Sequence, residues 1–437
     1  MEYKAKKVHF IGIGGIGMSA LAQLFLDHGA HVTGSDRDAS PVTELLEKKG
    51  IKVIIGQKAE NVPMDADAVI YSDAVPEDNP ERTRARELGI RQVSYFEMLG
   101  KVSEGLSTGS GQGRKTIAVA GTHGKTTTTG MLAKILKDAG ASPTAVVGSL
   151  VKDFDSNYLH GDSDLFVVEA CEYKDHLLKL LPQVLVITNL EWDHTDYFPS
   201  LAALQETFRK AIERVPENGT IVTDPANPNI APLLANAKAK VIDYTKEPAY
   251  TLTLPGEFNV MNARAAAATA RAVLPNITDK TIKNALKDFH GTWRRFEYKG
   301  KTKKGADVYD DYAHHPTAIK ETLRAFRAKT KGKVFVAFHP HLYSRTKDLF
   351  EEFSAAFTDA DKVLIAPIYA ARETDDGTVS SAMLAEAIAK NGVLTRAATF
   401  AEIENELEAK PRAGDAVICM GAGDIYKVAD RLVACGK

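Results

Sequence analysis

Short apolar runs alternate with helical stretches along nearly the whole chain, and this alternation is the pattern of βαβ units built into parallel sheets. In a first block, Val8 to Ile13, Val32 to Gly34, Val53 to Ile55 and Ala68 to Tyr71 read as strands, with a helix over Met18 to Leu26. A second block offers Thr116 to Ala120, Leu165 to Val168, Val184 to Ile187 and Thr220 to Thr223, several of them apolar on both faces, as strands buried in a parallel sheet are. The Ala-rich helix Ala263 to Val273 closes it before Pro275. A third block repeats the pattern with Lys333 to Phe338, Lys362 to Ala366 and Ala416 to Met420. The expected fold class is therefore α/β, and 437 residues are enough for two to four domains. Gly105 to Gly113 has the composition of a linker, and the polar, basic stretch Gly291 to Gly305 holds a second boundary. Three domains are expected, over 1–112, 113–293 and 294–437.

Composition narrows the partners. Lys plus Arg number 55 against 57 for Asp plus Glu, so no global field draws the chain to nucleic acid or to an anionic membrane. Cys171, Cys419 and Cys435 are far apart and fit no CxxC spacing, which points to a reducing cytoplasm. Lys4, Lys6 and Lys7 before the apolar stretch Val8 to Leu26 imitate a signal peptide, but Gly12, Gly14, Gly15 and Gly17 break that stretch. No membrane insertion is expected.

Two glycine loops carry the chemistry. Gly12, Gly14 and Gly17 form GxGxxG directly after a strand and before a helix, with Asp36 ending the next strand. In that context backbone N–H groups approach a diphosphate at a helix N-terminus and an acid reaches a ribose. Gly121-Thr122-His123-Gly124-Lys125-Thr126 likewise follows an apolar strand and opens a helix. Lys125 is set to neutralise β/γ-phosphates, and the hydroxyl of Thr126 or Thr127 to hold Mg²⁺. The loop is shorter than GxxxxGK[ST], which would need glycine where Val119 stands. Glu169 and Glu172 lie just past one strand, and Asn189, Asp193 and His194 just past another. Residues beyond the carboxyl ends of parallel strands share a crevice, so Lys125, Glu169 and His194 are expected around one nucleotide–metal complex. Asp310-Asp311-Tyr312-Ala313-His314-His315-Pro316 and His339-Pro340-His341 are metal-ligand types at close spacing, placed in the loop before a helix that Pro316 starts.

Gly121 to Thr127 as GTHGKTT, Glu169-Ala170-Cys171-Glu172, Thr188-Asn189 to Asp193-His194, Gly256-Glu257-Phe258-Asn259 to Asn262, Arg294-Arg295-Phe296 and Asp310 to Pro316 occur in this order in the Mur ligases, which the chain resembles from its first strand to Gly421-Ala422-Gly423-Asp424. The resemblance implies an N-terminal Rossmann-like domain for a UDP-sugar, a central P-loop ATPase-type parallel sheet and a C-terminal Rossmann-like domain that closes over the site, with hinges at the two boundary stretches. It implies the ATP- and Mg²⁺-dependent joining of L-alanine to the lactyl carboxylate of UDP-N-acetylmuramate through an acyl phosphate, for peptidoglycan synthesis. Gly12, Gly14, Gly15, Gly17, Asp36 and Ser72 would then face the UDP-sugar rather than NAD. Gly121, Thr122, His123, Gly124, Lys125, Thr126 and Thr127 would cradle ATP, with Asn259 and Asn262 near its adenine and ribose, and Arg295 and Asp311 contributed at the domain junction. Thr126, Glu169 and His194 would be associated with Mg²⁺. Tyr312, His314 and Arg345 look like the amino-acid pocket, with His314 a candidate acceptor of the amine proton.

The chain departs from the family pattern in places. Some relatives carry arginine at Leu342, many read FQPH where Phe338-His339-Pro340-His341 stands, many have Gly-His at Gly56-Gln57, and the carbamoylated lysine of some siblings would fall near Ile212. Three other readings compete. A sibling reaction attaches a recycled tripeptide to the same sugar; Pro340 to Thr346 and the Glu169 to Glu172 context favour alanine. An NAD-dependent dehydrogenase leaves the second glycine loop unexplained. A nucleotide switch without ligase activity would hydrolyse ATP with no amino acid.

Overall fold

In the computed structural model, the described residues are 6–105 and 114–434. Apart from Gly105 itself, the expected linker lies outside them, as does Cys435. The described residues form three sheets. The first contains β1 (Lys7–Ile11), β2 (His31–Asp36), β3 (Lys52–Ile55), β4 (Ala68–Tyr71) and β5 (Arg91–Ser94), all parallel, in the order β3-β2-β1-β4-β5.

The second contains β6 (Lys115–Ala120), β7 (Thr144–Val151), β8 (Ser156–Leu159), β9 (Leu165–Glu169), β10 (Val184–Ile187), β11 (Thr220–Thr223) and β12 (Lys240–Asp243). Its order is β12-β11-β10-β6-β9-β7-β8, and only the β7–β8 pairing is antiparallel. The third contains β13 (Glu297–Lys301), β14 (Asp307–Asp311), β15 (Val334–Phe338), β16 (Lys362–Ile365), β17 (Leu394–Ala397) and β18 (Ala416–Met420), ordered β13-β14-β18-β15-β16-β17. There, only β13 runs antiparallel to its neighbour.

These residues form two compact units that interleave along the chain. One comprises Met1–Leu190, Gln205–Thr251 and Met261–His290 and holds the first two sheets; the other comprises Glu191–Leu204, Leu252–Val260 and Gly291–Lys437 and holds the third. The cores follow the strand patterns. β10 and β18 are buried at every position, and the helix Lys125–Asp138 turns Met131, Leu132, Ile135 and Leu136 inward.

Two expectations need correction. The first strand ends at Ile11 rather than Ile13, because Gly12 turns the chain at φ +78° and the N–H groups of Gly12 and Ile13 both donate to Ser35 O at 2.9 Å. Asp310 and Asp311 do not lie in the loop before Pro316; they are the last two residues of β14, paired with Cys419 and Met420 of β18. Their carboxylates are tolerated inside the sheet because Arg294 Nε donates to Asp310 at 2.9 Å, while the N–H groups of Phe296 and Ala313 donate to Asp311 at 2.6 and 2.8 Å. The helix Pro316–Lys329 begins where its proline indicates, with His315 as its cap.

Beneath the first sheet lies a closed polar cluster. Glu81, fully buried on the helix Pro80–Glu87, accepts from Ser35 Oγ at 2.7 Å, Asn61 Nδ2 at 2.7 Å and Lys58 N at 3.2 Å, and lies 3.1 Å from His9 Nε2. Burial opposes its charge, but His9 and the hydrogen bonds hold its pKa below the ordinary glutamate value. A depressed folded-state pKa stabilises above the unfolded value and loses that stability as the pH falls through the folded one. Glu81→Ala is expected to cost about 3–5 kcal/mol, because it leaves a buried polar set without its acceptor. Denaturant unfolding at neutral pH and at pH 4 checks this; the gap between parent and variant should narrow at the lower pH.

Candidate functional site

The second glycine loop spans the four residues between β6 and the helix Lys125–Asp138. Gly121 and Gly124 have φ of +129° and +79°, and a Cβ at either would stand 2.2 Å from Thr188 Oγ1 or 2.1 Å from Asn262 Oδ1. Glycine is therefore required twice, by conformation and by space. The residues after β10 clamp the loop: Thr188 Oγ1 and Asn189 Nδ2 donate to His123 O at 2.6 and 3.0 Å, and His123 N donates back to Asn189 Oδ1 at 2.9 Å. Thr122 and Thr127 are buried beside it.

Lys125 opens the helix and folds back over the loop. Its ammonium donates to Gly121 O at 2.5 Å, to Thr122 O at 3.3 Å and to Glu172 Oε1 at 2.9 Å. Burial works against the charge, but Glu172 and the neighbouring acids outweigh it and hold the lysine above its ordinary pKa. It is a fixed cation at the mouth of a helix N-terminus, which suits a polyphosphate. Beside it, Thr126 Oγ1 donates to Glu169 Oε1 at 3.1 Å and Gly148 N to Glu169 Oε2 at 2.8 Å. Thr126, not Thr127, thus carries the carboxylate contact. A hydroxyl and a carboxylate aligned in this way are hard oxygen donors of the kind Mg²⁺ prefers, so the residues present fit that ion. Glu169 is the last residue of β9 rather than a residue beyond it.

The first glycine loop closes on itself. Gly14 N donates to Asp36 Oδ2 at 2.8 Å, and Gly15 N to Gly12 O at 3.1 Å. Asp36, expected at a ribose, braces the loop with that oxygen. Ser72 follows β4 directly and lies against Gly12, where a Cβ would stand 3.2 Å from its own.

The second unit assembles a different set. Arg345, 2% exposed, donates from Nε to Asp193 Oδ1 at 2.8 Å, and its Nη1 donates to His341 Nδ1 at 3.0 Å. His341 must therefore accept at Nδ1. Burial and then Arg345 push its pKa down to about 3, which agrees. Asp193 also accepts from His194 N at 2.6 Å, and His194 adopts a left-handed φ of +53°. Asp193 stays ionised well below the ordinary range: burial resists, but Arg345 prevails.

His314 Nδ1 donates to Tyr312 O at 2.8 Å, and burial with the nearby Arg345 keeps the ring neutral, its Nε2 a free base position. The Arg295 guanidinium lies 4.9 Å from the Tyr312 ring centroid. Asn259 and Asn262 occupy successive turns of the helix Glu257–Val273; Asn259 donates to Pro255 O at 2.7 Å, and Asn262 accepts from Thr128 Oγ1 at 3.3 Å. Of the metal-ligand residue types in Asp310 to His341, Asp310, Asp311, His314 and His341 are engaged in these structural bonds.

Of the residues expected around one nucleotide–metal complex, Lys125, Thr126 and Glu169 stand together in the first unit, whereas His194 belongs to the second. Sequence reasoning did not foresee Glu172 as the lysine's partner, Gly148 as a donor to Glu169, or the Asp193–Arg345 pair, whose members are 152 residues apart. A glycine interrupting the apolar run of β7 was the one available signal among these.

Comparison with known proteins accords with this arrangement. Family models described as "Mur ligase family, catalytic domain", "Mur ligase middle domain" and "Mur ligase, glutamate ligase domain" match residues 7–105, 119–251 and 294–423. UDP-N-acetylmuramate–L-alanine ligases of Clostridium botulinum and Clostridium acetobutylicum are 39% and 38% identical, each over 98% of both chains. Among solved structures, the UDP-N-acetylmuramate–alanine ligase of Thermotoga maritima matches with a TM-score of 0.78 at 27% identity over 98% of both chains. A murein peptide ligase of Psychrobacter arcticus matches with 0.73 at 25% identity over 99% of both. With three sheets, two glycine loops and full-length similarity in agreement, the chain belongs to the Mur ligase family.

Proposed function

We propose that the chain joins L-alanine to UDP-N-acetylmuramate, with ATP converted to ADP and phosphate. The observation that carries this reading is the 39% identity, over 98% of both chains, to a relative named for that reaction. A carboxylate and an amine do not condense in water at useful rates, so the lactyl carboxylate first attacks the γ-phosphorus of ATP and displaces ADP, giving an acyl phosphate. The amine of L-alanine then adds to the acyl carbon, and the tetrahedral adduct expels phosphate and leaves the amide.

Each residue set has a part in this scheme. Lys125, held charged by Glu172, neutralises the transferring phosphoryl group. Bound Mg²⁺ would supply further charge neutralisation there, held by Thr126 and Glu169, with His194 as an additional associated residue. Gly121 to Thr127 offer the helix N-terminus to the nucleotide phosphates; Asn259, Asn262, Arg295 and Asp311 would serve the rest of the nucleotide. Gly12, Gly14, Gly15, Gly17 and Ser72 would take the UDP diphosphate, with Asp36 as their brace. Tyr312, His314 and Arg345 would receive the amino acid, and the neutral His314 would accept the proton released as the amide forms. No helix among the described residues is long and apolar enough to cross a membrane. A substrate as costly as ATP and the two described free cysteines suit a cytoplasmic setting.

Three outcomes are expected. ADP release with ATP, Mg²⁺ and UDP-N-acetylmuramate should require L-alanine; release only with a murein tripeptide would select the peptide-ligase sibling, and hydride transfer without ATP the dehydrogenase. Lys125→Ala, assayed at a temperature where it remains folded, should lower kcat by at least about a thousandfold; intact ADP formation would remove the phosphate cradle from the scheme. Because His314 is already neutral at pH 6.5, its replacement by Gln should lower kcat without moving the acid limb of the pH–rate profile. An acid limb that vanishes in the variant would contradict its assigned state.

A further inference from the structure

Both glycine loops belong to one compact unit, so a substrate that begins on Gly12–Gly17 and ends near Thr126 and Glu169 passes the side chains between them. Tyr95 borders that course at the first loop. It is the first residue of the helix Tyr95–Gly105, and its ring lies so close over Gly17 that a Cβ there would stand 2.5 Å from both Cζ and the hydroxyl oxygen. The third glycine of the motif is thus demanded by a phenol, whereas close helix–strand packing is the usual reason.

The ring is braced from behind. Tyr95 meets Phe96 edge-on at 4.7 Å between centroids, and Phe96 stacks on His176 at 3.5 Å and 14°. His176 is delivered there by Lys174 and Asp175, two successive non-glycine residues with left-handed φ of 52° and 59°. Such strain persists only where the surroundings enforce it, and it clusters at ligand sites. His176 Nε2 lies 3.7 Å from the carboxylate of Asp73, the neighbour of Ser72 in the first loop's wall.

The half-buried Tyr95 hydroxyl itself has no hydrogen-bond partner among the described residues. Burial raises its pKa, and Glu169, Cys171 and Asp73 raise it further, so it remains a protonated donor at any working pH. It therefore stands beside the diphosphate loop, within electrostatic reach of the phosphoryl-transfer carboxylate, with a proton to offer. We propose that the Tyr95 hydroxyl donates a hydrogen bond to the lactyl carboxylate of the UDP-linked sugar and sets its distance from the γ-phosphate, an inference that rests on the ligase reading. A neutral donor to one carboxylate oxygen orients the group while leaving the other oxygen anionic and nucleophilic. Tyr95 is thereby a positioning residue that separates a carboxylate-bearing sugar from a plain one.

The test is Tyr95→Phe, which keeps the ring on Gly17 and removes only the hydroxyl. Calorimetry gives the affinities for UDP and for UDP-N-acetylmuramate, and steady-state assays give kcat and the KM values. The affinity for UDP-N-acetylmuramate should fall about tenfold or more, with kcat reduced, while the affinity for UDP and the KM for ATP stay within about twofold. An active parent with an unchanged variant would overturn the role of Tyr95 alone, as would a parallel loss of UDP binding. A parent that neither binds nor turns over UDP-N-acetylmuramate would overturn the ligase reading, and this inference with it.

Discussion

A lysine cannot remain charged against a partly buried loop unless an anion stands beside it, and the contact between Lys125 and Glu172 at 2.9 Å meets that condition. Much of the second sheet can be understood as the means of making it. β6 delivers the loop and the lysine, its neighbour β9 delivers Glu169 and Glu172, and its other neighbour β10 delivers Thr188 and Asn189. Three adjacent parallel strands end at one edge, which is where an open α/β sheet places a ligand. Were any of the three antiparallel, its contribution would emerge at the opposite edge.

Local backbone chemistry completes what topology begins. Gly121 and Gly124 adopt positive φ and leave no space for a side chain, so that Thr188 and Asn262 press against the loop from two sides. Gly148 interrupts β7 to the same end: a Cβ there would stand 2.2 Å from Glu169 Oε2, and its N–H instead fixes that carboxylate. Within the second unit, the Arg345–Asp193 pair does comparable work, joining the helix Tyr343–Asp348 to the left-handed turn at His194. Both sites therefore rest on a buried cation with a carboxylate in contact.

Most interior strands were legible in the sequence and most edge strands were not, for a physical reason, although interior β7, interrupted by Gly148, was missed and edge strand β3 was read. β4, β10, β11 and β18 are short apolar or β-branched runs whose bounds match the expected ones. β5 (RQVS), β12 (KVID), β13 (EYKGK) and β17 (LTRA) lie at sheet edges, where one side needs no burial and polar residues erase the pattern. β14 was obscured differently, since its terminal Asp310 and Asp311 read as loop acids until Arg294 and two backbone N–H groups account for them. In the candidate site, what depended on a loop joining a strand to a helix was readable: Lys125, Thr126 and the glycines. The Asp193–Arg345 and Lys125–Glu172 pairings were not, because tertiary partners carry no spacing rule.

The central claim is that the carboxylate is activated by phosphoryl transfer before the amine attacks. It is tested most directly by labelling the lactyl carboxylate of UDP-N-acetylmuramate with ¹⁸O, running turnover with ATP and L-alanine, and weighing the released phosphate. If the acyl phosphate forms, one carboxylate oxygen bridges to phosphorus and leaves with it, so the expected phosphate carries a single ¹⁸O. Unlabelled phosphate formed alongside the amide would mean that ATP hydrolysis and bond formation proceed by separate routes, and would contradict the account.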